Sequence, residues 1–208
     1  SLSSASRPKH FASGVRSAQT LGVAVPLNHS SEFSELTDQQ YMVLGKAVVE
    51  WANIEQLLSI LLGRLLATPD FLARTFTDPL AAFRLQEAIK EAVEIHRVRY
   101  GERVVDGALL DEIVQINESV TFLRGIRNKI AHFCWCRQSD ESLFGTSFAG
   151  GIPTPKSERK SSAVITLSEL TDFHQKAFAL VEQLIVLTEK LPKVDEELFL
   201  THHSSGTG

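Results

Sequence analysis

Apolar positions in this chain recur mostly at intervals of three and four, the period of a helix with one buried face. Leu44, Val48, Trp51, Leu58, Leu62 and Leu65 keep this spacing after Thr37 and Gln40, a pair that fits a capping box. The pattern predicts a first helix of about 30 residues. It stops before Pro69, because the residue ahead of a proline avoids helical angles. Asp78 reads as the cap of a second helix, with Pro79 in its first turn. Leu85, Ile89, Val93 and His96 form its stripe, and Gly101 ends it. A third helix starts near Asp106 and carries Leu109, Ile113, Ile116, Val120 and Leu123. It runs on through Arg124 to His132.

Beyond His132 the period becomes two. Phe133, Cys134, Trp135 and Cys136 alternate aromatic and thiol, as in a strand. Leu143 to Phe148 reads as a second strand, and Val164 to Thr166 allows a third. Thr166 and Glu169 form a capping box for a last helix striped by Leu170, Phe173, Ala177, Leu180, Leu184 and Leu187 and closed by Pro192. The fold class expected is mainly α: a four-helix up-and-down bundle with a small β-hairpin insertion between the third and last helices.

Composition adds limits. The 208 residues suit one domain with tails. Residues 1–35 are rich in Ser and Ala, and their first acidic residue is Glu32. That composition suits a transit peptide, but a flexible N-terminal tail is the favoured reading. The bundle is placed at 36–192 and a C-terminal tail at 193–208. A net charge of −4 excludes a polycation, so any nucleic-acid contact must come from a local patch. The two cysteines, Cys134 and Cys136, exclude a disulfide scaffold and suit a reducing, cytoplasmic setting. No apolar run is long enough for a membrane span, since Glu55 and Arg64 cut the most apolar stretch.

The chemistry gathers at the end of the third helix. Arg127, Asn128, Lys129 and His132 place two cations, an amide and an imidazole within six residues. Asn128 and His132, four apart, share a face, and Arg124 joins them from four before Asn128. Arg127 and His132 are about 140° apart round an ideal helix at roughly 100° per residue. They meet on one small anion only if the helix bends or a second chain completes the site. The set suits cleavage of an RNA phosphodiester. A histidine can move the proton of a ribose 2′-hydroxyl, and a guanidinium can hold phosphate oxygens as charge develops. No cofactor is implied, and no metal.

An Arg-Asn-x-x-x-His segment late in a helix of an all-α bundle resembles the HEPN superfamily (higher eukaryotes and prokaryotes nucleotide-binding). Its signature is an Arg, four to six residues, then a His, often with Asn directly after the Arg. Arg127, Asn128 and His132 match it with a spacing of four. The resemblance implies a metal-independent endoribonuclease of toxin–antitoxin or anti-phage defence systems, acting as a homodimer on RNA. An antitoxin or nucleotidyltransferase is the implied partner. Toxins of the branch paired with minimal nucleotidyltransferases often have a Tyr two after the His; here Cys134 stands there.

Glu55, on the apolar stripe of the first helix, is the candidate for an auxiliary acidic residue, with Glu50 second and a structural salt bridge to Arg124 or Arg127 the plainer role. Lys129, Lys156, Arg159 and Lys160 are candidate RNA contacts. His96 reads as a core histidine bonded to backbone. A non-catalytic helical module binding a nucleotide, RNA or protein partner through the same groove is the alternative function.

Overall fold

The computed structural model describes residues 34–147 and 162–196. Among them are five helices, α1 (Asp38–Leu65), α2 (Asp70–Thr77), α3 (Ala82–Val98), α4 (Gly107–His132) and α5 (Leu167–Lys190), and three strands between α4 and α5. The chain is thus mainly helical with a small antiparallel sheet. The tail readings at 1–35 and 193–208 fall outside the described residues, save for 34–35 and 193–196.

The capping boxes at both ends of the chain form as their sequences require. Thr37 Oγ1 accepts from the Gln40 amide while Gln40 Oε1 accepts from the Thr37 amide. Thr166 and Glu169 repeat the arrangement at α5. Asp106 caps α4 by accepting from the Ala108 amide. Asp78 does not cap the second long helix. A short helix, α2, intervenes, and Asp78 is helical at its C-terminal end. Its carboxylate lies 3.3 Å from Arg74, four residues back, rather than over free amides. The sharp corner before α2 has its own cause. Ala67 adopts a left-handed φ of 49°, and Arg64 grips Asp70 with two hydrogen bonds of 2.9 and 3.1 Å.

Ile54, Leu58 and Leu61 of α1, Leu85 and Ile89 of α3, Leu110 and Ile113 of α4, and Phe173 and Leu184 of α5 are fully buried in one core. α1 packs most closely on α5. The buried face of α1 is rotated from the expected stripe: Val48 is exposed, while Val43, Ala47 and Ile54 point inward. His96 is buried, with Nε2 2.8 Å from the Leu65 carbonyl oxygen, as a core histidine should be. No single helix among the described residues is long and apolar enough to cross a membrane.

The insertion is more than a hairpin. β1 (Cys134–Ser139), β2 (Ser142–Thr146) and β3 (Ser162–Thr166) form one antiparallel sheet in that order. The third strand pairs because Leu143 and Ile165 face each other across β2 and β3 and bury together against the helices. The sheet is fastened at two points. Gln40 Nε2 donates to the Ser139 carbonyl at 2.8 Å, and Trp135 Nε1 donates to the Ile130 carbonyl at 3.2 Å. Gly145 lies opposite Trp135, where a Cβ would stand 2.7 Å from the indole ring. The last turn of α4 is thereby held by the strand that follows it.

Candidate functional site

α4 buries Leu123 and Ile130, seven apart, and turns the opposite side outward. Arg124 and Arg127, half-buried beside that stripe, and Asn128 and His132, exposed further round the helix, all line one cleft of about 400 Å³. The facing walls come from α1, with Trp51 and Glu55, and from the start of α3, with Ala81, Ala82 and Phe83. Arg127 and His132 thus border a single cleft within one chain. His132 is the last residue of α4, where Phe133 already has extended angles. Its imidazole is exposed to solvent.

Glu55 fills the structural part of its expected role. Its carboxylate lies 3.5 Å from Arg127 Nη2, and each side chain is about one-third exposed, at 33% and 30%. The Arg127 guanidinium also sits 5.5 Å from the centre of the buried Trp51 ring. Asn128 Oδ1 lies 3.5 Å from Arg127 Nη1. Arg124 is tied elsewhere. It donates to the side-chain oxygen of Gln86 and lies 5.0 Å from the Phe83 ring.

Not every candidate arrives at the cleft. Glu50 is not among its lining residues; its carboxylate lies 3.9 Å from His174 Nε2. Lys129 points away on the exposed flank of α4, toward Glu169 at the start of α5, whose carboxyl its charge helps to stabilise. Glu169 is held below the ordinary carboxylate value chiefly by the hydrogen bond from the Thr166 amide, then by that from the Thr166 hydroxyl. Lys156, Arg159 and Lys160 lie outside the described residues. Cys134 and Cys136 are free thiols, and Cys136 Sγ donates to the Phe144 carbonyl. Phe133 packs on Trp135 with ring centres 5.7 Å apart. Among the described residues no group of three or more His, Cys, Asp or Glu is placed to hold a metal ion.

Sequence reasoning missed Phe83 and Gln86. Phe83 carries no periodic signal, because it reaches the cleft only through the packing of α3 on α4. Gln86 did carry one: it lies three before Ile89, a polar residue on an apolar face, which needs buried partners.

The cleft therefore offers two guanidinium groups, an amide and an exposed imidazole, with one carboxylate beside one of the cations. Side chains of these types are chemically suited to an anion with planar oxygen pairs and to proton exchange beside it. No protein-family model, curated protein or solved structure matches the chain at a significant level.

Proposed function

We propose that the chain is a metal-independent endoribonuclease of the HEPN type. One observation carries the reading: Arg127, Asn128 and His132, a six-residue motif, line a single cleft that Arg124 makes more cationic. In this reading α1, α3, α4 and α5 are the four helices of an up-and-down bundle, and α2 and the sheet are additions to it.

The chemistry follows from the side chains. His132 accepts the proton of a ribose 2′-hydroxyl, and the freed oxygen attacks the adjacent phosphorus. The bond to the 5′-oxygen breaks, that oxygen takes a proton from water, and His132 returns its proton to solvent. A 2′,3′-cyclic phosphate and a 5′-hydroxyl remain. Arg127 holds the non-bridging oxygens as charge gathers on them. Asn128 sits between the cation and the imidazole and orients the phosphate. The motif's resemblance adds a homodimer in which two copies meet across the interface and a toxin or anti-phage role with an antitoxin or nucleotidyltransferase partner, and the two free thiols suit a cytoplasmic setting.

The test is incubation of the purified chain with mixed RNA in EDTA, beside a His132→Ala control shown to be folded by circular dichroism. Cleavage leaving 2′,3′-cyclic ends, lost in the control, is the expected result. The second reading, a non-catalytic module that binds RNA, a nucleotide or a protein, draws on the Glu55 carboxylate beside Arg127, which already occupies part of that cation. An intact chain that binds RNA and never cuts it would select the second reading.

A further inference from the structure

Arg124 and Arg127 share a helix and a cleft but are held in opposite ways. Arg127 faces a carboxylate, Glu55, at 3.5 Å. Arg124 Nη1 donates to a neutral amide oxygen, that of Gln86, and among the described residues no carboxylate pairs with it. The Gln86 side chain is buried, at 2% exposure, and its orientation is determined by α4. Its Nε2 donates at 2.8 Å to the Asn117 carbonyl and at 2.8 Å to Thr121 Oγ1. Asn117 Nδ2 donates back to the Gln86 carbonyl at 3.1 Å. A flipped amide would set its NH₂ against the guanidinium and turn its oxygen toward the Asn117 carbonyl oxygen, losing both donations to α4, so the oxygen faces Arg124.

This arrangement uses one of the five N–H groups of Arg124 and none of its charge. The Phe83 ring, 5.0 Å away, steadies the guanidinium plane. A buried network that fixes a cation without neutralising it, at the wall of a cleft, is suited to an incoming anion. Arg124 and Arg127 are three residues apart, a rise of about 4.5 Å along the helix. Two long side chains at that spacing reach neighbouring phosphates of one strand.

We propose that Arg124, positioned by Gln86, forms a second phosphate subsite in the cleft. It takes the phosphodiester next to the one at Arg127 and His132 in a single-stranded RNA. The inference rests on the RNA reading above.

The experiment uses the full chain carrying His132→Ala, to stop turnover, and a short labelled single-stranded RNA followed by fluorescence anisotropy over a range of salt. Arg124→Ala is expected to weaken binding about tenfold, the loss of one charge-assisted contact. It should also reduce the slope of log affinity against log salt by about 0.7, the value for one phosphate on a single strand. Gln86→Met should do the same, and the double variant should be no weaker than Arg124→Ala. Gln86→Glu keeps the acceptor oxygen but cancels the charge of Arg124, so it too should lower the slope. Thermal melts check each fold, and if Gln86→Met does not fold, Gln86→Glu decides. An unchanged slope in Arg124→Ala with weakened binding in Arg127→Ala overturns the subsite while leaving the RNA reading intact. Weakening by Arg124→Ala without weakening by the folded Gln86 variant overturns the role of Gln86. Absence of RNA binding by the folded His132→Ala parent overturns both the RNA reading and the subsite.

Discussion

Arg127→Ala separates catalysis from stability, because the surroundings of Arg127 limit how much the fold can depend on it. Its ion pair with Glu55 is 3.5 Å long, and both partners are about one-third exposed. A pair of that kind contributes at most about 1 kcal/mol. The contact with the Trp51 ring, at 5.5 Å, adds about 0.5–1 kcal/mol. The substitution should therefore cost no more than about 2 kcal/mol of stability. For a chain of this size, that lowers Tm by roughly 4–8 °C. The loss in the chemical step should be larger. Removing one preorganised donor to a developing oxyanion costs about 100- to 1000-fold in kcat, or roughly 3–4 kcal/mol. The assay is single-turnover cleavage of a labelled RNA at a temperature well below both melting points, beside a thermal melt of each protein. A loss of kcat of about two to three orders of magnitude with a small Tm shift is expected. A fold destabilised by more than about 4 kcal/mol, with undiminished cleavage per folded molecule, would refute the reasoning and make Arg127 a strut for α1.

Glu55→Gln in the His132→Ala background removes the carboxylate beside Arg127, so RNA should bind about two- to fivefold more tightly by anisotropy; weaker binding would contradict the electrostatic argument. Gly145→Ala places a methyl 2.7 Å from the Trp135 ring, which its bond to the Ile130 carbonyl prevents from yielding. A loss of about 1–3 kcal/mol in urea unfolding is expected. Thr166→Ala breaks the capping box of α5 and should cost about 1 kcal/mol by the same method. The folded pKa of Glu169 lies below its ordinary value of 4.5, so its contribution is complete above that value and is lost as pH falls through the folded one. Glu169→Gln should accordingly be less stable than the parent at neutral pH, with the gap closing as pH drops below that range; a gap independent of pH would oppose this assignment.

The helices were legible because their signals are local. Thr37 with Gln40, Asp106, and Thr166 with Glu169 each satisfy amides within three residues, so their caps form wherever the chain goes next. The six residues from Arg127 to His132 could be read as one local segment, but helical spacing alone sets Arg127 and His132 about 140° apart, and the packing of α1 and α3 on α4 is what gives them one cleft. Asp78 misled because it has the residue type of a cap. Whether it caps depends on α2, whose start is held by the grip of Arg64 on Asp70 across a corner. The third strand was readable as a segment at Val164 to Thr166, but its pairing needed Leu143 and Ile165 to find each other at a distance along the chain, which no local pattern encodes.

The chain by itself determined where the four long helices lie, though not the short α2, and which six residues hold the cations, amide and imidazole. Periodicity and capping act over a few residues, and their energies hardly depend on distant partners. Only the tertiary structure decided what those groups face. Packing of α1 and α3 against α4 set Glu55 beside Arg127 and the neutral oxygen of Gln86 beside Arg124. One cation is thus partly compensated and the other left with its charge. That difference depends on contacts between residues 38 or more positions apart, which form only when the core closes and sets the helices in register.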